Sequence, residues 1–174
     1  MAFNPGSSLA KLIETPVRPG KIIWIGLRPI RRGAMEVVES ARLESGLGLA
    51  GDRYSRKDGV RQVTLIAVES LTAIAGYLGE ERVSPEALRR NIVTQGINLS
   101  ALKDRRFKLG ETILETTGEC HPCSRMEETL GQGGYNAVRG LGGITARVIK
   151  GGEIHLNDPI APIPTTEAAL YPTP

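Results

Sequence analysis

Seven short, β-rich apolar runs lie between residues 21 and 156, with only short helical stretches between them. KIIWIGL (21–27) and QVTLIAV (62–68) have the continuous apolar character of buried strands. NIVTQG (91–96), RFKLG (106–110), TILETT (112–117), ITARVIKG (144–151) and EIHL (153–156) extend the series. Leu71, Ile74, Ala75 and Leu78 recur at helical spacing, so 69–78 is expected to be one amphipathic helix. Ser84-Pro85 supplies an N-cap and a first-turn proline for a second, short helix ending near Arg89. A third is expected over 124–131, closed by Gly131. A parallel sheet needs a crossover helix between each strand pair, and such helices are largely missing here. The expected fold is therefore mainly β, a closed or nearly closed β-barrel with a few short helices. Gly151-Gly152 reads as the turn of a hairpin joining the last two runs.

The barrel is expected over 21–160, after an N-terminal arm (1–20) that holds a short helix in SSLAKLIE. The end of the chain, PIAPIPTTEAALYPTP, contains five prolines, and 161–174 is expected to be an extended tail. Twenty-two Lys+Arg against 19 Asp+Glu leave +3, too little to suggest dedicated nucleic-acid binding. Aromatic residues make up only 4%, which leaves few platforms for stacking bases. No apolar run approaches the roughly 20 residues that span a bilayer. The N-terminus lacks the basic and long apolar regions of a secretory signal, so a cytoplasmic location is the default expectation.

Two motifs bear on chemistry. Gly46-Leu-Gly48-Leu-Ala-Gly51 matches the dinucleotide-binding string, which has meaning only between a strand and a helix. DRYSRKDG follows it, charged and turn-like, so a glycine-rich loop is the better reading. Cys120-His121-Pro122-Cys123 is more informative. A bridge between these cysteines would close almost no loop and stabilise little. The pair is open to four readings: a redox pair, half of a zinc site, one useful thiolate with a neighbour, or two small hydrophobes without a chemical role. A redox pair normally opens a long helix in a βαβ context. A structural zinc needs four ligands, and beyond the cysteines only His121 and His155 are on offer. Cys123 precedes a helical-looking stretch and lies near Arg125, an arrangement that favours a thiolate used as nucleophile or metal ligand. Basic residues gather in several places: Arg28, Arg31 and Arg32; Arg53, Arg56, Lys57 and Arg61; Arg89 and Arg90; Lys103, Arg105, Arg106 and Lys108. Most read as solvated surface, while those at strand ends or loops offer planar guanidinium groups suited to a phosphate or carboxylate.

The segments GLAGDR (48–53), RQVTL (61–65), RRNIVTQGINL (89–99), RFKLGETILETTGECHPCSR (106–125) and GGITARVIKGGEIHLNDPI (142–160) together resemble the MOSC domain. That name denotes the C-terminal domain of molybdenum cofactor sulfurases, and the likeness is strongest to small stand-alone bacterial members. The resemblance implies a barrel core and a pterin-based molybdenum cofactor (molybdopterin). It implies that Cys123 is the key cysteine, both catalytic and the protein's ligand to the metal. Asp52 and Arg53 match the family's G-D-R motif, and Arg89 and Asn91 its R-x-N-I motif. These four, with Arg125, are expected to bind the cofactor. The implied activity is reduction of N-hydroxylated compounds. Electrons would come from an external donor protein, since the chain shows no flavin, haem or iron–sulfur motif. The alternative is a sulfur carrier or cofactor-binding module that holds a persulfide on Cys123, loaded by a cysteine desulfurase. Two departures stand out. Tyr54 occupies a place where relatives often have His. A pyridoxal-phosphate desulfurase domain has no room in 174 residues, so this chain is not expected to extract sulfur from cysteine itself.

Overall fold

The computed structural model describes residues 7–172 apart from 56 and 58. Seven strands form a closed mixed barrel. In barrel order they are β11 (Pro159–Pro162), β7 (Arg106–Leu109), β8 (Thr112–Glu119), β9 (Ile144–Lys150), β5 (Val63–Ala67), β6 (Ile92–Gln95) and β1 (Gly20–Leu27). Closure comes from β1, whose first residues pair with β11 through Gly20–Ile160 and Lys21–Pro159. Further along its length the same edge of β1 takes β2 (Glu36–Val38).

One pair in the barrel is parallel, β5 with β6. Its crossover is supplied by α2 (Val68–Leu78) and α3 (Pro85–Leu88), so a single βαβ unit is built into an otherwise antiparallel barrel. Ser84 caps α3 through its side chain, and Gly79 ends α2 in the left-handed conformation. The helix expected over 69–78 and the short one after Ser84 are both present. The third is α4 (Arg125–Leu130), followed by α5 (Gly134–Val138).

The last hairpin differs from expectation. β10 (Gly152–His155) does not fold back on β9; it leaves the barrel and pairs with β3 (Ser40–Glu44), which also pairs with β4 (Gly48–Leu49). The reason is a close approach, because a Cβ on Gly151 would lie 2.5 Å from the Leu43 carbonyl oxygen. Gly151 therefore lets the chain cross β3 and change sheets, which a hairpin turn would not require. The glycine-rich string 46–51 spans the end of the β3–β4 turn and β4 itself and leads into a turn at Asp52, with no helix behind it. The barrel's final strand also runs past residue 160, so the start of the proline-rich tail is structural. Pro159 opens it, a position where the ladder tolerates a missing N–H.

The barrel interior is filled by alternate strand residues, including Ile22, Leu65, Ile92, Phe107, Leu114 and Val148, all buried. Residues facing the other way, Ile66 and Val93, meet Leu71 and Ile74 of α2, Leu88 of α3 and Met126 of α4. The helices thus cover one flank of the barrel. No helix among the described residues is long and apolar enough to cross a membrane.

On the outer surface, Glu115 of β8 accepts hydrogen bonds from Arg106 Nε at 2.8 Å and Arg147 Nε at 3.1 Å. Partial burial pushes this carboxyl up, and the hydrogen bonds and charges of the two arginines outweigh it, so its pKa is lowered. A lowered carboxylate pKa contributes stability above the unfolded-state value and loses it as pH falls through the folded-state value. Glu115→Gln should therefore melt lower than wild type at neutral pH. The difference should shrink as acid titrates through and below about pH 4. Melting curves of the two proteins across that range check this.

Candidate functional site

The loop after β1, the Asp52 turn and the α3–β6 junction meet around one buried ion pair. Asp52 accepts from Arg28 Nε at 2.9 Å and Arg28 Nη2 at 3.2 Å, a two-pronged contact with both side chains almost fully buried. It also accepts from the Arg28 and Tyr54 backbone N–H groups, each at 2.9 Å, and from Asn91 Nδ2 at 2.8 Å. Asn91, fully buried, donates to the Gly26 carbonyl at 3.0 Å and accepts from the Arg28 guanidinium and the Thr64 hydroxyl. Arg28 further donates to the Arg89 carbonyl. Asp52 and Asn91 thus spend their hydrogen-bonding capacity inside the chain, where they fix Arg28 and tie three segments together.

Arginines converge on the outer side of this network. Arg89 takes a left-handed conformation (φ 54°) at the end of α3 and donates to the Gly33 carbonyl at 2.7 Å. Its pKa is lowered, first by burial and then by the charges of Arg125 and Arg28, with a smaller push from Arg53. Four guanidinium groups therefore crowd one another, and among the described residues only Arg28 has a carboxylate partner in the cluster. Tyr54 lies between two of them, with the Arg28 and Arg53 guanidinium carbons each 4.5 Å from its ring centroid. Tyr54 thus offers a ring face to each of two like charges.

The cysteine loop joins the cluster through Arg90. This buried guanidinium donates to the carbonyls of Leu88 (2.6 Å), Gly142 (2.8 Å) and Cys120 (3.2 Å). The Cys120 N–H in turn donates to the Gly143 carbonyl at 2.8 Å. Close packing here requires glycine, since a Cβ on Gly142 would lie 2.0 Å from the Cys120 carbonyl oxygen. Burial lowers the Arg90 pKa; negative charge on Cys120 or Cys123 would act in the opposite direction, and the Arg28 charge adds to the lowering. Cys123 is exposed and Cys120 half-buried, and neither is in a disulfide. Cys123 directly precedes Ser124, the N-cap of α4, and Arg125 is the first residue of that helix. Its carbonyl accepts from the Met126 N–H at 2.9 Å.

Asp52, Asn91 and the Arg89 carbonyl thus share one hydrogen-bond network through Arg28, Arg53 joins it through its N–H on the Arg28 carbonyl and through the Tyr54 ring, and Arg125, two residues from Cys123, acts on Arg89 through its charge. Arg28 and Arg90 are the members that sequence reading grouped with solvated basic residues and did not single out. A weak signal for Arg28 is its place directly after a buried apolar strand. Among the described residues, no group of three or more His, Cys, Asp and Glu side chains is placed to hold a metal ion. A metal that brings most of its own ligands needs only one from the protein.

The model of the MOSC domain matches residues 51–161. Among solved structures, the YuaD protein from Bacillus subtilis aligns with a TM-score of 0.73, over 83% of this chain and 96% of that one, at 20% identity. YiiM from Escherichia coli aligns at 0.63, over 82% and 69% of the two chains, with 18% identity. YiiM from Geobacillus stearothermophilus aligns at 0.64, over 83% and 75%, with 12% identity. At these identities the likeness is one of fold. No curated protein matches in sequence.

Proposed function

The chain belongs to the MOSC domain family, and from that premise we propose that it is a molybdenum-cofactor oxidoreductase that reduces N-hydroxylated compounds. The observation that carries this reading is the arginine cluster beside an exposed cysteine. Arg53, Arg89 and Arg125 have no carboxylate partner among the described residues, and the Arg89 pKa is lowered by burial and by its cationic neighbours. Crowded cations of this kind gain most from an anion, and a planar guanidinium matches a phosphate. Cys123 offers a soft donor of the type that suits molybdenum in sulfur-rich coordination. The residues present therefore fit a phosphorylated pterin carrying the metal.

In this reading Arg53, Arg89 and Arg125 hold the cofactor's phosphate, and the Cys123 thiolate is the protein's ligand to the metal. When bound, the cofactor supplies two-electron chemistry at molybdenum. Asp52 and Asn91 act from beneath as positioning residues, holding Arg28 and the Arg89 backbone. Arg90 fixes the cysteine loop through the Cys120 and Gly142 carbonyls. The overall change converts an N–OH group to N–H and water, consuming two protons and two electrons from an external donor protein.

Protein purified from a host that makes the cofactor, supplied with reduced viologen dye, should convert an N-hydroxylated base to the parent base. Absence of turnover in molybdenum-loaded protein would count against the oxidoreductase. The exposure of Cys123 also suits a sulfur carrier. Cyanide-releasable sulfur on Cys123, after incubation with a cysteine desulfurase and cysteine, is the outcome that favours this second reading. Arg89→Ala removes one charged hydrogen-bonding group from the phosphate. Cofactor retention should fall roughly 10- to 100-fold, and more steeply as salt is added, as followed by gel filtration and cofactor fluorescence.

A further inference from the structure

A concave site lies at a mouth of the barrel, bordered by the cysteine loop and lined by none of the four clustered arginines. It is a cavity of about 690 Å³ between the ends of β5, β6 and β8 and the 140–144 loop. That volume lies within the range of small-molecule sites, and barrel mouths are a common place for them. Ala67, Ile97, Leu99 and Ile144 give it an apolar floor. Its charged lining is unbalanced: Glu69, Asp104 and Glu119 against Lys103, with His121 3.9 Å from Glu119. Glu69 is held in place by the Gly96 N–H at 2.8 Å.

The second observation is beneath the floor. Ile92 and Leu114 face the barrel interior, so Thr94 and Thr116, each two residues further along its strand, face it again. Thr94 is paired with Ala67 in the sheet, and Thr116 itself lines the cavity. Thr94 is fully buried and Thr116 is 7% exposed. Their hydroxyls are the buried side-chain polar atoms without a hydrogen-bond partner among the described residues. An unpaired buried hydroxyl is costly and rare, and two at one barrel end call for a polar partner there.

We infer that this cavity binds a small organic cation, with an apolar body on the Ile97–Leu99–Ile144 floor, an N–H donor to the Thr116 hydroxyl, and its positive charge among the rim carboxylates. The sign of the lining is opposite to that of the arginine cluster, so the two sites select opposite charges. Cys120 and His121 line the cavity just ahead of Cys123. That the bound cation is the substrate rests on the function proposed above, whereas its binding does not.

The test uses three probes with one ring and different charges: benzylammonium, benzyl alcohol and benzoate. Each is titrated into the full-length protein at millimolar concentration while the Ile97 and Ile144 methyl signals are followed by NMR. Benzylammonium should shift both signals and bind about fivefold more tightly than benzyl alcohol at low salt, with the gap narrowing as salt is added. Benzoate should give no saturable shift. The Glu69→Gln/Asp104→Asn variant should lose the preference for the cation. Thr116→Val should melt no lower than wild type, because an unpaired hydroxyl is removed, and should bind benzylammonium about threefold more weakly. Benzoate binding as well as benzylammonium, shifts confined to the arginine cluster, or no shift from any probe would overturn the proposal. Failure of cation binding in protein that carries molybdenum removes this inference and leaves the proposed function intact. Cation binding in protein that never acquires molybdenum does the reverse.

Discussion

Asp52→Ala is expected to lower stability by about 3–5 kcal/mol, the scale for removing one partner of a buried ion pair. Its carboxylate is the counter-charge to the buried Arg28 guanidinium and also accepts from Asn91 and two backbone N–H groups. Without it, Arg28 stays buried next to Arg89 with an uncompensated charge, and the Asn91 amide loses an acceptor. In a chain of this length such a loss corresponds to a melting temperature lower by roughly 10 °C. The Asp52 turn should loosen with it, because the Tyr54 N–H closes that turn on the same carboxylate. A melt within about 2 °C of wild type would mean that water or another group takes over the carboxylate's role, and that the network does not hold the three loops together.

The second large effect is expected at Cys123, and it has the opposite character. Cys123→Ser changes an exposed side chain that makes no packing contact in the hydrophobic core, so stability should stay within about 0.5 kcal/mol of wild type. On the function proposed above, turnover should fall by more than about a hundredfold, since Cys123 would then be a direct metal ligand and its loss would cost more than that of an outer-shell partner. Cys120→Ser is the matched control. Cys120 holds its loop through backbone N–H and carbonyl groups, which the substitution leaves in place. It should keep most of the activity. Equal loss in both variants would point to a shared disulfide or persulfide chemistry of the pair.

The barrel was largely legible in the sequence because its strands are β-branched and apolar, as in the 62–68 and 144–151 runs. The strands that escaped notice are short, exposed or interrupted. β2 has three residues and β4 two, and β11 hides between Pro159 and Pro162 although it closes the barrel. Sheet switching at Gly151 was hidden for another reason: a Gly-Gly pair permits a tight turn and a close crossing equally well, and only the position of Leu43 decides.

The candidate site was legible as motifs and illegible as geometry. Asp52 and Asn91 stand 39 residues apart in sequence, and nothing local indicates that one amide joins them. Arg28 has the composition of a surface residue, and its burial follows from a carboxylate contributed by a distant turn. Arg90 differs from its neighbour Arg89 in the same way: one staples three carbonyls from within while the other faces the cluster. A run of basic residues cannot reveal which of its members is turned inward.

The most direct test of the account is molybdenum content by elemental mass spectrometry, on wild type and Cys123→Ser purified anaerobically from a cofactor-producing host. Near-stoichiometric molybdenum in the wild type and little in the variant is the predicted result. Equal molybdenum in both proteins, or none in either while the host's cofactor is demonstrably available, would contradict a Cys123-ligated cofactor.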